Sequence, residues 1–296
     1  MKGGRVRLLL AVSVVLTVST FALPIPSLFT WPAPQESVSI HLTLGNPSGA
    51  TDDTGNKDNF LMVKDQYALS FNNTKGGPNW VSWHLQASDV GNENRGDFHP
   101  DDSLPAAFNK IKKADYNNSG FDRGHICNSK DRTDTRANND ATFFMTNILP
   151  QAPDNNQGPW VKLENFEREL AGQGNELYIV AGAFGTGGTG KNGFTTEIAA
   201  GQVNVPHAFW KVMVILPEGS NDISRITNST RTIAVCMPNN QGIRNTDWHK
   251  FVTTIRNVEA ATHYDFLSEV PTAVQNVIEA RRDSDAQGPA NTNPCQ

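Results

Sequence analysis

Three stretches decide how this chain is read: Ser119-Gly120-Phe121-Asp122-Arg123-Gly124-His125-Ile126, then Met145-Thr146-Asn147-Ile148-Leu149-Pro150-Gln151, then Asn155-Asn156-Gln157-Gly158-Pro159-Trp160-Val161-Lys162-Leu163-Glu164. The first sets an acid, a guanidinium and an imidazole around a glycine. Gly124 lets the backbone turn tightly. The imidazole of His125 works as a base near neutral pH, because its unperturbed pKa is about 6.5. Taken alone, the Asp-Arg-Gly-His run equally describes a loop carrying a surface ion pair.

The third stretch predicts a helix over 157–171, with Trp160, Leu163 and Leu170 on one side. Asn156 stands at its start and Glu164 eight residues on, which is about 80° around the axis and about 12 Å along it. One ion cannot be bound directly by both. Helical side chains lean toward the N-terminus, however, so Glu164 reaches back far enough to grip a water on an ion held by Asn156. The reading is therefore Asn156 as inner-sphere ligand and Glu164 as outer-sphere ligand. Mg2+ suits such a site, since it keeps several waters and takes one or two protein oxygens. Mn2+ is a substitute, because both ions prefer oxygen. The plain alternative is an N-cap Asn and a surface Glu paired with Arg168 at i+4.

Around this centre, short apolar runs at 60–63, 67–71, 80–85, 177–183, 209–216 and 232–237 read as strands separated by polar or Gly-rich turns. A second helix is predicted over 271–281, opening with Pro271. No internal repeat or coiled-coil heptad is present. The mixture predicts one α+β domain with a largely antiparallel central sheet and flanking helices. Its predicted bounds are 59–285, with a Pro/Ser/Thr/Gly-rich linker at 24–58 and a short tail at 286–296.

Lys2, Arg5 and Arg7 precede an uncharged apolar run over 8–23, the pattern of an export signal. An organelle transit peptide would be amphipathic and Ser-rich instead. Pro24, Pro26, Pro32 and Pro34 crowd the region where cleavage would fall, so retention as an N-terminal membrane anchor is the alternative for a run near the short limit of a span. The expected location is secreted or periplasmic.

Composition is that of a folded protein, with 38% hydrophobic and 19% charged residues in 296 and a formal charge of −5. Losing Lys2, Arg5 and Arg7 leaves 22 basic residues against 30 acidic ones, a charge near −8. That excludes a nucleic-acid partner recognised by a broad basic face and requires any such reading to rest on a local site. Cys127, Cys236 and Cys295 are too few for a disulfide scaffold, but an oxidising compartment permits one bridge and one thiol, in a pairing the spacing leaves open.

Two patterns are set aside. Gly185-Thr186-Gly187-Gly188-Thr189-Gly190-Lys191-Asn192 comes within one residue of a P-loop, yet Asn192 stands where a hydroxyl must bind magnesium, and Gly193-Phe194-Thr195-Thr196 is a poor helix start. It is read as a strand-connecting loop, with no nucleotide cofactor. His41, His84, His99, His207, His249 and His263 show no HxxxH or HExxH spacing, and no CxxC pair exists, so a zinc site is not expected.

Together, Asp122-Arg123-Gly124-His125, Thr146-Asn147-Ile148-Leu149-Pro150-Gln151 and Asn156-Gln157-Gly158-Pro159-Trp160-Val161-Lys162-Leu163-Glu164 resemble the DNA/RNA non-specific endonucleases of the ββα-metal group. The resemblance runs over about 59–282 and extends to Ala234-Val235-Cys236-Met237-Pro238-Asn239 and Tyr264-Asp265-Phe266-Leu267-Ser268. It implies a ββα-metal finger, a sugar-non-specific endonuclease, and the same assignment of Asn156 and Glu164. His125 would take a proton from the attacking water. Hydrolysis would leave 5′-phosphate and 3′-hydroxyl ends. Arg95, in Asn94-Arg95-Gly96-Asp97, aligns with the phosphate-stabilising arginine of the family. From position alone, Arg123 and Arg168 are further candidates, either of which could instead orient Glu164 or Asp122, and Asn147 is expected to fix the geometry of the finger.

The chain departs from the family at Asn128, where proline is usual, and at Cys127, where a small residue is usual, so the turn after His125 is expected to differ slightly. Implied partners are single- and double-stranded DNA and RNA, contacted through phosphates that carry no direct sequence information. A protein inhibitor is a further possible partner, since an exported nuclease could need one during synthesis. The rival reading, a catalytically inactive nucleic-acid-binding module, would be expected to lose His125, Asn156 or Glu164 and keep a basic face.

Overall fold

Apart from Met1 and Gly3, the computed structural model describes residues 39–288. The expected export signal, the first part of the linker, Cys295 and the end of the tail lie outside the described residues. In chain order the strands are β1 (Phe60–Val63), β2 (Ala68–Asn72), β3 (Gly77–Leu85), β4 (Asp122–His125), β5 (Ile148–Gln151), β6 (Asn175–Phe184), β7 (Gly188–Gly190), β8 (Gly193–Thr195), β9 (Glu197–Ile198), β10 (Val203–Asn204), β11 (Ala208–Pro217), β12 (Arg231–Pro238) and β13 (Val252–Thr253). The α-helices are α1 (Arg136–Ala141), α2 (Pro153–Asn155), α3 (Val161–Gly172), α4 (Asp222–Arg225), α5 (Ile255–Thr262) and α6 (Thr272–Ile278).

A seven-stranded sheet in the order β1-β2-β3-β6-β11-β12-β13 forms the centre, antiparallel at every junction. Successive strand residues face opposite sides, and the centre of the sheet is buried on both. In β11, Phe209, Met213 and Ile215 enter one core with Trp83, Trp160 and Leu163, whereas Trp210, Val212 and Val214 enter a second with Trp80, Val258, Phe266 and Ile278. Thus α3 covers one face of the sheet while α5 and α6 cover the other. Lys211 alternates into the α3 face, fully buried, and meets Glu167 there.

The expected domain start near Asn59 is corrected by the structure. His41, Leu44 and Ala50 are buried, Thr51 bridges Phe60, and the Trp80 indole donates to the Ser48 hydroxyl. This segment lacks periodicity because local bonds shape it: Asn46 donates from Nδ2 to the Ala50 carbonyl and accepts from the Ala50 N–H. The expected linker therefore folds with the domain from residue 39 onward. Cys127 is a free, buried thiol and Cys236 is disulfide-bonded. Among the described residues no helix is long and apolar enough to cross a membrane.

Candidate active site

Strands β4 and β5 pair antiparallel, with Gly124 opposite Leu149 and His125 opposite Ile148, and the chain then enters α2, a π-helical turn (Asn156–Trp160) and α3. This is a ββα unit. Gly124 serves it in a way the sequence did not suggest. It lies inside a strand, not at a turn, and a Cβ there would stand 2.3 Å from Oε1 of the buried Gln151. The glycine is needed for close approach. Gln151 in turn donates to Asn155, whose amide donates to the Pro238 carbonyl.

Asn147 is fully buried and staples the turn after His125: Oδ1 accepts from the Cys127 N–H, while Nδ2 donates to the carbonyls of Cys127 and Thr142. Asn128, the departure from the family pattern, caps the next 3-10 turn and hydrogen-bonds the Glu164 side chain.

One open cleft of about 280 Å³ collects Arg95, Arg123, His125, Asn156 and Glu164, with Asn128, Lys130 and Gln157 on its wall. The His125 ring stands 4.7 Å from the Phe143 centroid, edge to face, and 5.1 Å from Phe98. The guanidinium of Arg95 lies over the same two rings, at 5.0 and 5.7 Å. Phe98 and Phe143 thus fix base and cation side by side. Nothing in the sequence reading singled them out; the signal available was their position next to Arg95 and before Met145. Burial, reinforced by the Arg95 charge, pushes the imidazole down to about 3, so it is neutral at working pH. Its Nε2 is buried without a hydrogen-bond partner among the described residues.

The regular helix expected through Asn156 does not form. Gly158, at φ −115° and ψ −112°, breaks it, Pro159 follows, and α3 begins at Val161. The 80° separation worked out for an ideal helix therefore does not describe this pair, although both side chains still line the cleft. Asn156 donates from Nδ2 to Asp122 Oδ2 at 2.9 Å, an oxygen that also accepts from Gln157 at 2.7 Å. With its nitrogen so committed, Asn156 offers its carbonyl oxygen as the donor for a hard divalent cation. The residues present fit such an ion. Glu164 is buried, and that burial raises its carboxyl above the usual range against the opposing pull of Lys211 and Asn128. It is not a surface glutamate paired with Arg168.

Neither of the two remaining arginines hydrogen-bonds Glu164 or Asp122. Arg168 donates to Asp131 and Asn165, and Asp131 also accepts from the Trp83 indole. Arg123 donates to the Lys113 carbonyl and to Asn117, with its guanidinium 5.6 Å from the Phe98 ring. The Gly-rich loop is the β7-β8 hairpin, followed directly by β9 and not by a helix, in keeping with a strand-connecting loop.

The description DNA/RNA non-specific endonuclease belongs to the family profile that matches residues 45–273. A nuclease of Nostoc sp. is 47% identical over 249 residues, covering 84% of this chain and 88% of its own. Mitochondrial endonuclease G of Bos taurus is 29% identical, covering 71% of this chain and 70% of its own. Nuclease C1 of Cunninghamella echinulata var. echinulata is also 29% identical, covering 77% of this chain and 88% of its own. Among solved structures, the EndoG/EndoGI complex superposes with a TM-score of 0.65 at 24% identity, over 82% of this chain and 96% of the other, a likeness of fold. Motifs, ββα geometry and these matches converge: the chain belongs to the DNA/RNA non-specific endonuclease family, the metal-dependent nucleases of this fold.

Proposed function

We propose that this endonuclease works with Mg2+, uses His125 as general base and Asn156 as the direct metal ligand, and acts outside the cytoplasm on single- and double-stranded DNA and RNA. The observation that carries the reading is the shared cleft, where a neutral imidazole, an exposed guanidinium and an amide oxygen freed by Asp122 face one space.

His125, held by Phe98 and Phe143, is placed to accept a proton from water attacking phosphorus. Arg95 supplies fixed positive charge where negative charge builds on the phosphoryl oxygens. Glu164 would be the second group to hold the cation, through a water, and Asn147 keeps the His125 turn in register. The cation that Asn156 and Glu164 would hold would supply Lewis-acid stabilisation of the negative charge that develops as the 3′ oxygen departs. Departure of that oxygen leaves 5′-phosphate and 3′-hydroxyl ends. Mn2+ is expected to replace Mg2+.

Binding through phosphates supports action on both sugars. The catalytically inactive binding module is not favoured, because His125, Asn156 and Glu164 are all retained in the cleft. The basic start and apolar run over 8–23 support export, and the EndoG/EndoGI complex is a precedent for the protein inhibitor such an enzyme could need during synthesis.

Cleavage of circular DNA and of RNA, with Mg2+ or EDTA, tests the reading beside His125→Ala and Asn156→Ala. Metal-dependent cutting of both substrates, with a loss of about 100-fold or more in either variant, is expected. Binding of nucleic acid without cleavage by the intact protein would overturn it.

A further inference from the structure

The segment after β12 brackets the turn that carries Asn156, and it does so from outside the ββα unit. Asn239, fully buried, accepts from the Ala152 N–H and donates to the Pro150 carbonyl. Gln241 accepts from the Asp154 N–H, and the Gly242 N–H donates to Asp154. Arg244 ends the bracket, donating from Nε to Asp154 at 2.8 Å and from Nη2 to Gln157 Oε1 at 3.1 Å. Gln157 passes the constraint on through its 2.7 Å bond to Asp122 Oδ2, the oxygen that takes the Asn156 amide. The break in the helix belongs to the same contact: a Cβ on Gly158 would stand 2.7 Å from the Arg244 Cα and carbonyl oxygen.

We infer that Arg244 is a positioning residue for the metal site, acting through Gln157 and Asp122 to keep the Asn156 amide turned with its oxygen toward the cation. This rests on Asn156 being the metal ligand. Asp122 accepts only and so takes the Nε2 end of the Gln157 amide, while Arg244 donates only and takes the Oε1 end. Gln157 is therefore held at both ends, and Arg244 is the end anchored outside the ββα unit, through Asp154. The Asp122 oxygen that receives Gln157 Nε2 is thereby fixed beside Asn156 Nδ2. Arg244 is exposed and bonded to Gln157, which lines the cleft, so the competing assignment is a contact to substrate phosphate.

The two assignments separate when metal and nucleic acid are titrated independently. Mn2+ affinity of the intact protein is read by electron paramagnetic resonance without nucleic acid, and oligonucleotide affinity is read in EDTA at several salt concentrations. Arg244→Ala and Gln157→Ala should each weaken Mn2+ binding by about tenfold, as loss of groups that orient a ligand does. The double variant should be no worse than either, because both break one chain of bonds. Arg244→Lys should fail to restore the affinity, since one ammonium cannot serve Asp154 and Gln157 in the fork geometry. Oligonucleotide affinity in EDTA should not change. Unchanged Mn2+ affinity, together with weaker oligonucleotide binding and a salt slope reduced by about 1, would make Arg244 a phosphate contact and overturn the inference. No change in either would overturn it as well. Asn156→Ala keeps the failures apart: if it binds Mn2+ normally, the ligand assignment itself is wrong; if it loses Mn2+ while Arg244→Ala does not, only the role of Arg244 falls.

Discussion

Lys211→Met would strip the buried Glu167 carboxylate of its counter-ion, on the same helix α3 that carries Glu164. Both side chains are fully buried, with the Lys211 nitrogen 2.8 and 3.0 Å from the two carboxylate oxygens. The ammonium also lies 4.6 Å from the Trp160 ring and 5.3 Å from Trp83. Burial lifts the Glu167 carboxyl from an ordinary 4.5 to about 7 even while Lys211 pulls it down. The protonated carboxyl is thereby favoured in the folded state. Because the folded value exceeds the unfolded one, this stabilisation is fully present below pH 4.5 and is lost as pH rises through 7.

Without Lys211 the folded value climbs further, so stability keeps falling above pH 7 where the parent has levelled off. Breaking a buried pair costs about 3–5 kcal/mol. The full cost should appear only in alkaline buffer, growing by about 1.4 kcal/mol per pH unit. Urea unfolding of parent and variant at about pH 5.5 and about pH 8.5 measures it. Lys211→Met with Glu167→Gln removes the Glu167 titration and leaves Glu164 as the buried carboxyl that Lys211 had faced, so it should recover most of the stability and lose most of the added pH dependence. An equal deficit at both pH values, or no recovery in the double variant, would refute the account.

His125 is held neutral by burial and Arg95, so kcat/KM of the free enzyme should stay flat as pH falls through 6.5; an inflection there would place the imidazole in ordinary solvent. The same depressed value means that the unfolded chain binds a proton below pH 6.5 that the folded one refuses. His125→Asn should therefore lose less stability than the parent between about pH 6 and about pH 4 in thermal melts. Asn147→Ala orphans three buried backbone groups and should cost about 3 kcal/mol or more by urea unfolding, with loss of cleavage at full occupancy of the folded state. Gly124→Ala drives a Cβ into Gln151 and should destabilise by about 1–3 kcal/mol, where a turn glycine without that neighbour would give less.

Strands that form short apolar runs between turns were legible. Runs at 60–63, 177–183, 209–216 and 232–237 correspond to β1, β6, β11 and β12 with the ends extended by no more than the turn residues allow. The strand made by Asp122-Arg123-Gly124-His125 was not, because its residues favour turns; pairing with β5 imposes the extended form. The π-helical turn was hidden because Gly158 and Pro159 sit inside an apolar pattern that suits a continuous helix; Pro159 disfavours helical backbone at Gly158, and the close approach of Arg244 requires the glycine there. Helix α5 could have been found from Thr254, which caps it by accepting from the Asn257 N–H ahead of Ile255 and Val258. At the site, His125, Asn156, Glu164 and Arg95 were readable as chemical types in a recurring order. Phe98, Phe143, Lys211 and Glu167 were not, since an aromatic clamp and a buried ion pair exist only once distant strands are brought together.

The acidic balance of the chain now has a physical place. Buried acids behind the site are matched internally, Glu167 by Lys211 and Asp131 by Arg168, while Asp122 spends its charge on two amides. The cleft itself presents Arg95, Arg123 and Lys130 outward. Positive charge is therefore concentrated at the reacting phosphate and not spread over a face. Such an arrangement gives little long-range steering and few counter-ions released on binding. Affinity for a polyanion should then depend on salt with a slope nearer to that of a few phosphate contacts than to that of a broad basic surface, measured in EDTA so that cleavage does not intervene. The same economy fits an enzyme indifferent to sequence and sugar, since contacts to phosphate carry no direct sequence information.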